Sequence, residues 1–175
     1  NWVYGILNYR YIFFHALRGR TYMDIIIRPA ETSDFDSVVH ILNQVQALHV
    51  NWRPDIYKES KDFFSLDAFQ DALDKEAFYV AESEHRIIGI LELTYRHIEF
   101  PSMLTRDVIY IDTMAVDENY RGMGIGHHFF EMLKDLKKEK HFDGIELQVN
   151  AKNVAAYEMY KKYGFTEKSI NMELL

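Results

Sequence analysis

Arg121-Gly122-Met123-Gly124-Ile125-Gly126 follows an apolar run, Val108 to Val116, and opens an amphipathic run that ends near Lys140. A strand therefore delivers the chain into a glycine loop that becomes a helix N-terminus. Such a junction is an anion site: unpaired N–H groups point outward, the helix dipole favours negative charge, and glycine lets a phosphate approach the backbone. Arg121 adds a fixed positive charge with several donors. The expected guest is a pyrophosphate. A tight strand-to-helix turn with no ligand is the plain alternative.

Two familiar phosphate loops do not fit. A P-loop needs Gly-Lys-Ser/Thr at the helix start, where His127-His128 stands. A dinucleotide site needs an early strand–loop–helix unit with an acid about 20 residues on. Glu146 falls near that distance, but the loop lies late in the chain and an Arg before the glycines is foreign to that fingerprint.

The 175 residues and 48% hydrophobic content suit one domain with a sizeable core. Twelve Tyr and 12 Phe supply much of its bulk. The absence of cysteine excludes disulfides, thiolate metal sites and a cysteine nucleophile, and fits a reducing, cytoplasmic setting. No apolar run reaches the roughly 18 to 20 residues of a membrane span. The net charge of −7 argues against a nucleic-acid binder and is compatible with a cationic amine partner, although solubility explains acidity equally well.

Residues 1–22 are aromatic and basic, with Arg10, Arg18 and Arg20 and no acid. Met23 then opens Asp24-Ile25-Ile26-Ile27-Arg28-Pro29. The expected division is an N-terminal extension, 1–22, and one domain, 23–175. The extension reads as an appended remnant, an upstream reading-frame extension or an extra element. His15 interrupts its apolar stretch, which speaks against a secretory signal.

Downstream, Ile25 to Arg28 reads as a strand and Ser33 as the N-cap of a helix. Residues 49–64 read as a loop marked by Arg53-Pro54-Asp55. Ser65 caps a second helix. Ala77 to Glu82, Arg86 to Glu99 and Val108 to Val116 read as strands. The helix after the glycine loop carries Ile125, Phe129, Met132, Leu133 and Leu136 on one stripe. Its basic end, Lys134 to Lys140, complements the dipole and reads as a solvated face. Ile145 to Val149 is another strand, Asn153 to Tyr163 a last helix closed by Gly164, and Phe165 to Leu175 a final strand or strand pair. The fold class is α/β with a mixed sheet and no repeat or linker.

The segment Tyr110 to Phe165 resembles the GNAT superfamily of acyl-CoA-dependent N-acetyltransferases. Arg121, Gly124 and Gly126 meet its loop signature. Asn153, Ala156, Tyr160, Gly164 and Phe165 meet its second signature, in the expected order. The element order from Met23 onward is also similar. The resemblance implies a mostly antiparallel sheet of six to seven strands, about four helices, and a splay between the fourth and fifth strands. It implies acetyl-CoA as donor, its pyrophosphate on the backbone of Arg121, Gly122, Met123, Gly124, Ile125, Gly126 and His127. The pantetheine arm would run beside Met114, Ala115 and Val116 like an added strand. An amide near Met114 would polarise the thioester carbonyl.

The implied reaction is acetyl transfer to a primary amine of a small molecule or protein, by direct attack in a ternary complex. An alkylammonium is largely protonated at neutral pH, so a proton acceptor is needed. Asp112 is the first candidate, placed by simple alternation on the same strand face as Met114; Glu92 is the second. Each could equally serve a structural role. Tyr160 occupies the position where the family commonly places the acid that protonates the CoA thiolate; a core tyrosine is the alternative. Asn153 contacts pantetheine, caps the last helix, or both. His49, Arg53 and Asp55 fall where acceptor-side loops occur, although Arg53 and Asp55 could simply pair. No histidine spacing suggests a metal. The rival class is a non-catalytic acyl-CoA sensor. Neither a membrane nor a nucleic-acid partner is expected, and a homodimer stays open.

Overall fold

The structure, a computed structural model, describes residues 4–7, 10–17, 20–60 and 62–174, with side chains from Asp24 onward. Seven strands form one sheet in chain order: β1 (Tyr4–Leu7), β2 (Arg10–Leu17), β3 (Arg20–Pro29), β4 (Phe78–Ser83), β5 (Arg86–Ile98), β6 (Arg106–Val116) and β7 (Gly144–Leu147). The first six pair antiparallel and β7 joins β6 in parallel. Five strands thus come from residue 20 onward, and β1 and β2 extend the sheet beyond β3. The expected boundary at Met23 falls inside β3.

Helices α1 (Phe35–Trp52) and α2 (Leu66–Asp74) cover one face; α3 (Ile125–Glu139) and α4 (Val154–Lys162) pack on the other. Strand alternation sorts the core into two layers. Phe78, Val80 and Ile90 of the sheet pack against Val38 and Ile41 of α1 and Phe69 of α2. Ile25, Ile27, Leu91, Leu93, Ile109 and Ile111 of the sheet pack against Phe129 and Leu133 of α3, with α4 on the same side. Parallel β6 and β7 need a crossover connection, and α3 supplies it. Gly89 lets α3 sit close: a Cβ there would meet Ile125 Cγ2 at 3.0 Å and Phe129 Cε2 at 3.2 Å. No described helix is long and apolar enough to cross a membrane.

Several local expectations change. Ser33 is not the N-cap of α1. It sits inside a short 3₁₀ turn, Thr32–Asp34, whose Glu31 and Asp34 form a reciprocal capping box. Asp34 is also held by both terminal nitrogens of Arg28 at 2.7 and 2.9 Å, so the acid is spoken for by the sheet. α1 runs on to Trp52, which puts His49 in the helix and starts the loop at Arg53; Pro54 disfavours helical geometry at the residue before it. Residues 165–174 form no strand and are pinned by side-chain pairs instead. Ser65 does cap α2, its Oγ accepting from the Ala68 amide at 3.1 Å. Ser65→Ala should cost about 1 kcal/mol of stability, read as a lower midpoint in urea with an unchanged slope.

Candidate active site

The site begins where two neighbours part. β6 pairs with β7 only from Val108↔Gly144 to Ile111↔Leu147, yet β6 continues to Val116. Residues Asp112 to Val116 therefore show β7 no ladder partner. The Asp117 amide donates to the Ile88 carbonyl on β5 at 3.0 Å. Amides two residues apart on a strand point the same way, so those of Met114 and Val116 point away from β5, toward the open edge. Arg121 Nε donates to the Val116 carbonyl there, at 3.3 Å, which draws the arginine to the mouth of the gap.

The turn that follows is held from α1. Gln44 Nε2 donates to Asp117 Oδ2 and Gln44 Oε1 accepts from the Glu118 amide, both at 2.9 Å. Asp117 Oδ1 accepts from the Asn119 amide at 2.9 Å. Gly122 and Gly124 then adopt φ of +78° and +84°, a left-handed geometry that glycine adopts without strain. Gly124 is the N-cap of α3 and no side chain caps the helix. A Cβ at Gly122 or Gly124 would meet nothing within 4 Å, so the cradle is open to an anion rather than filled by the protein. On the far lip, His127 Nδ1 lies 3.1 Å from the Tyr163 hydroxyl of α4.

A β-bulge reorders the candidate bases. Glu92 pairs with Thr113 and Leu93 with Ile111, so Asp112 is an extra residue in β6. Simple alternation, which put Asp112 and Met114 on one face, fails here. Met114 packs against the layer under α3 and α4. Asp112 instead accepts from Thr94 Oγ1 at 2.6 Å, on the α1 side of the sheet. Thr113 Oγ1 donates to Glu92 Oε2 at 3.2 Å on that same side. Glu92 is half-buried, and burial first, then the negative charge of Asp112, raises its carboxyl pKa, against the opposing bond from Thr113. Asp112 is exposed.

Tyr160 packs between Phe130 and Phe165, with ring centroids 5.9 and 5.7 Å away. Burial raises its phenol pKa above the usual value. Its hydroxyl has no hydrogen-bond partner among the described residues. Asn153 Oδ1 accepts from the Ala156 amide at 3.2 Å and so caps α4. On the loop that the resemblance places on the acceptor side, Arg53 pairs with Asp55 at 2.6 Å and with Glu173 at 2.5 Å. The two loop charges thus hold each other and the C-terminal segment. His49 stacks on Tyr57 at 4.9 Å, and burial lowers its pKa, favouring the neutral ring. No group of three or more metal-ligating side chains gathers among the described residues.

Two features of this floor escaped the sequence reading. Arg96 lies 3.3 Å over the Tyr110 ring, and Glu146 binds both Arg106 at 3.1 Å and Lys168 at 2.7 Å. The spacing Glu92, Thr94, Arg96 already put those three on one face.

Comparison with known proteins agrees with this layout. Over 164 residues the chain is 26% identical to an N-alpha-acetyltransferase of Sulfurisphaera tokodaii, covering 90% of this chain and 88% of that one. Over 112 residues it is 29% identical to the streptothricin acetyltransferase of Escherichia coli, covering 64% of this chain. That match spans 58% of the E. coli protein. Among solved structures, a tetramutant of the BH1408 protein from Bacillus halodurans superimposes with a TM-score of 0.76 at 30% identity, over 85% of this chain and 98% of that one. Residues 43–165 match the acetyltransferase (GNAT) family, to which this chain belongs.

Proposed function

We propose that this chain is an N-acetyltransferase that moves an acetyl group from acetyl-CoA to a primary amine by direct attack. One observation carries the reading: β6 leaves β7 after Ile111, beside an open glycine cradle at the start of α3. A thioester arm fits an unpaired strand edge and its diphosphate fits uncapped helix amides.

The diphosphate rests on the main chain from Arg121 to His127. The pantetheine runs along Met114 to Val116, with Asn153 near its far side. The acceptor nitrogen attacks the thioester carbonyl carbon, the C–S bond breaks, and the Met114 amide steadies the oxygen as it gains charge. Glu92 takes the ammonium proton, directly or through water. It is preferred to Asp112 because its raised pKa lies nearer the range where a base both ionises and holds a proton. Asp112 keeps that pKa up and attracts the ammonium. Tyr160 stays protonated because it is buried; it gives its proton to the departing thiolate and regains one, through water, from the second proton that the nitrogen sheds as the amide forms. A module that only senses acyl-CoA has no use for this pairing of a raised carboxyl and an unengaged phenol.

Tyr160→Phe should lower turnover by roughly ten- to a hundredfold, the scale of a lost hydrogen bond to a charged group, with CoA affinity little changed. Steady-state CoA release and calorimetric CoA binding check this. Collapse of affinity with unchanged turnover per bound donor would refute the role.

A further inference from the structure

The floor on the α1 side of the sheet is electrically divided. Its inner end holds two acids, Glu92 and Asp112, linked to Thr113 and Thr94. Its outer end holds Arg96, Arg106 and Lys168, with Glu146 between the last two. Arg106 and Lys168 both spend their charge on Glu146, while Arg96 forms no ion pair among the described residues. Its guanidinium carbon lies 3.3 Å from the centroid of the Tyr110 ring. That cation–π contact holds the charge over the floor, and no acceptor among the described residues takes its N–H donors. Tyr110 faces Thr94 across the ladder. The ring beneath the cation therefore lies about one pleat, roughly 7 Å along the strand, from the ladder position of Glu92.

We propose that Arg96 selects acceptors carrying an anionic group about one pleat from the reacting amine. This rests on the transferase reading and narrows it to a class: a small amine whose other end is a carboxylate or a phosphate. Both anions match a planar guanidinium fork, so the shared chemistry is an oxyanion taken by two parallel N–H donors. A purely cationic acceptor, such as a polyamine, would meet Arg96 with like charge.

The test uses two acceptor pairs that differ in one charge: the C-terminally amidated dipeptides Ser-Glu and Ser-Gln, and glucosamine 6-phosphate and glucosamine. CoA release is measured for the full chain, Arg96→Met and Arg96→Lys, with calorimetric binding of all four compounds in the presence of CoA. The natural chain should favour the anionic member of at least one pair by about tenfold or more in kcat/KM, mostly through KM. Arg96→Met should erase that difference and Arg96→Lys restore part of it. The pair that responds distinguishes carboxylate from phosphate. Equal use of both members, or a preference that survives Arg96→Met, overturns the proposal. Arg96-dependent binding without CoA release would leave it standing and refute transfer instead. Absence of any Arg96-dependent binding refutes it outright.

Discussion

Glu92→Gln is expected to lower kcat by roughly 100- to 10,000-fold, the range for a positioned general base. CoA binding should persist, since the carboxyl lies on the acceptor side. The pH profile separates this from a structural lesion. A base works only when ionised, so activity falls as pH drops through its pKa. Burial and Asp112 hold the Glu92 pKa above the ordinary carboxylate value, so the acid limb of the kcat profile should lie above that range. Glu92→Gln should remove the limb. Asp112→Asn should move it to lower pH, because the neighbouring negative charge is gone, with a smaller loss of rate. If Asp112→Asn removes activity as fully as Glu92→Gln and shifts no limb, the two roles are reversed.

Gly124→Val should weaken CoA binding by about a hundredfold or more, because its methyl groups would stand where the diphosphate meets the main chain. The same change carries a cost of its own. Gly124 has φ of +84°, and a side chain there strains the backbone by about 1–2 kcal/mol. Gly164→Val is the matched control. Gly164 has φ of +90° at the end of α4, and a Cβ there would also meet nothing within 4 Å. Both variants should lose similar stability in thermal unfolding, and only Gly124→Val should lose CoA affinity by calorimetry. Equal affinity loss in both would assign the effect to strain and remove the diphosphate from this loop.

Most of the frame was readable from residues 25 to 164, because helical stripes, caps and glycine punctuation are local signals. Ser65, Asn153 and Gly164 act at the helix ends that their chemistry suggested. The bulge at Asp112 was not readable. An added strand residue leaves composition and hydropathy almost unchanged, while it takes Asp112 off the face that Met114 occupies. The cap at Glu31 was hidden for another reason. Asp34 is committed to Arg28 at the end of β3, six residues earlier, and that pairing, which residue spacing alone does not show, decided where the first turn begins. Ile170, Met172 and Leu174 alternate like a strand, yet alternation alone does not supply a ladder, and all three are exposed. Arg53 looked available to a substrate only because Glu173, far away in sequence, could not be placed beside it.

The contact between Gly89 and helix α3 has a kinetic meaning. Ile125 and Phe129 rest directly on the main chain of β5, and Glu92 rises from that same strand three residues later. On the proposed assignment, the helix that would hold the donor's diphosphate and the carboxyl that would take the acceptor's proton are both positioned by β5. In that arrangement the packing of α3 on β5 sets their separation. Mutational scans that seek rate-determining positions only among solvent-facing residues would pass over the buried point that sets this alignment.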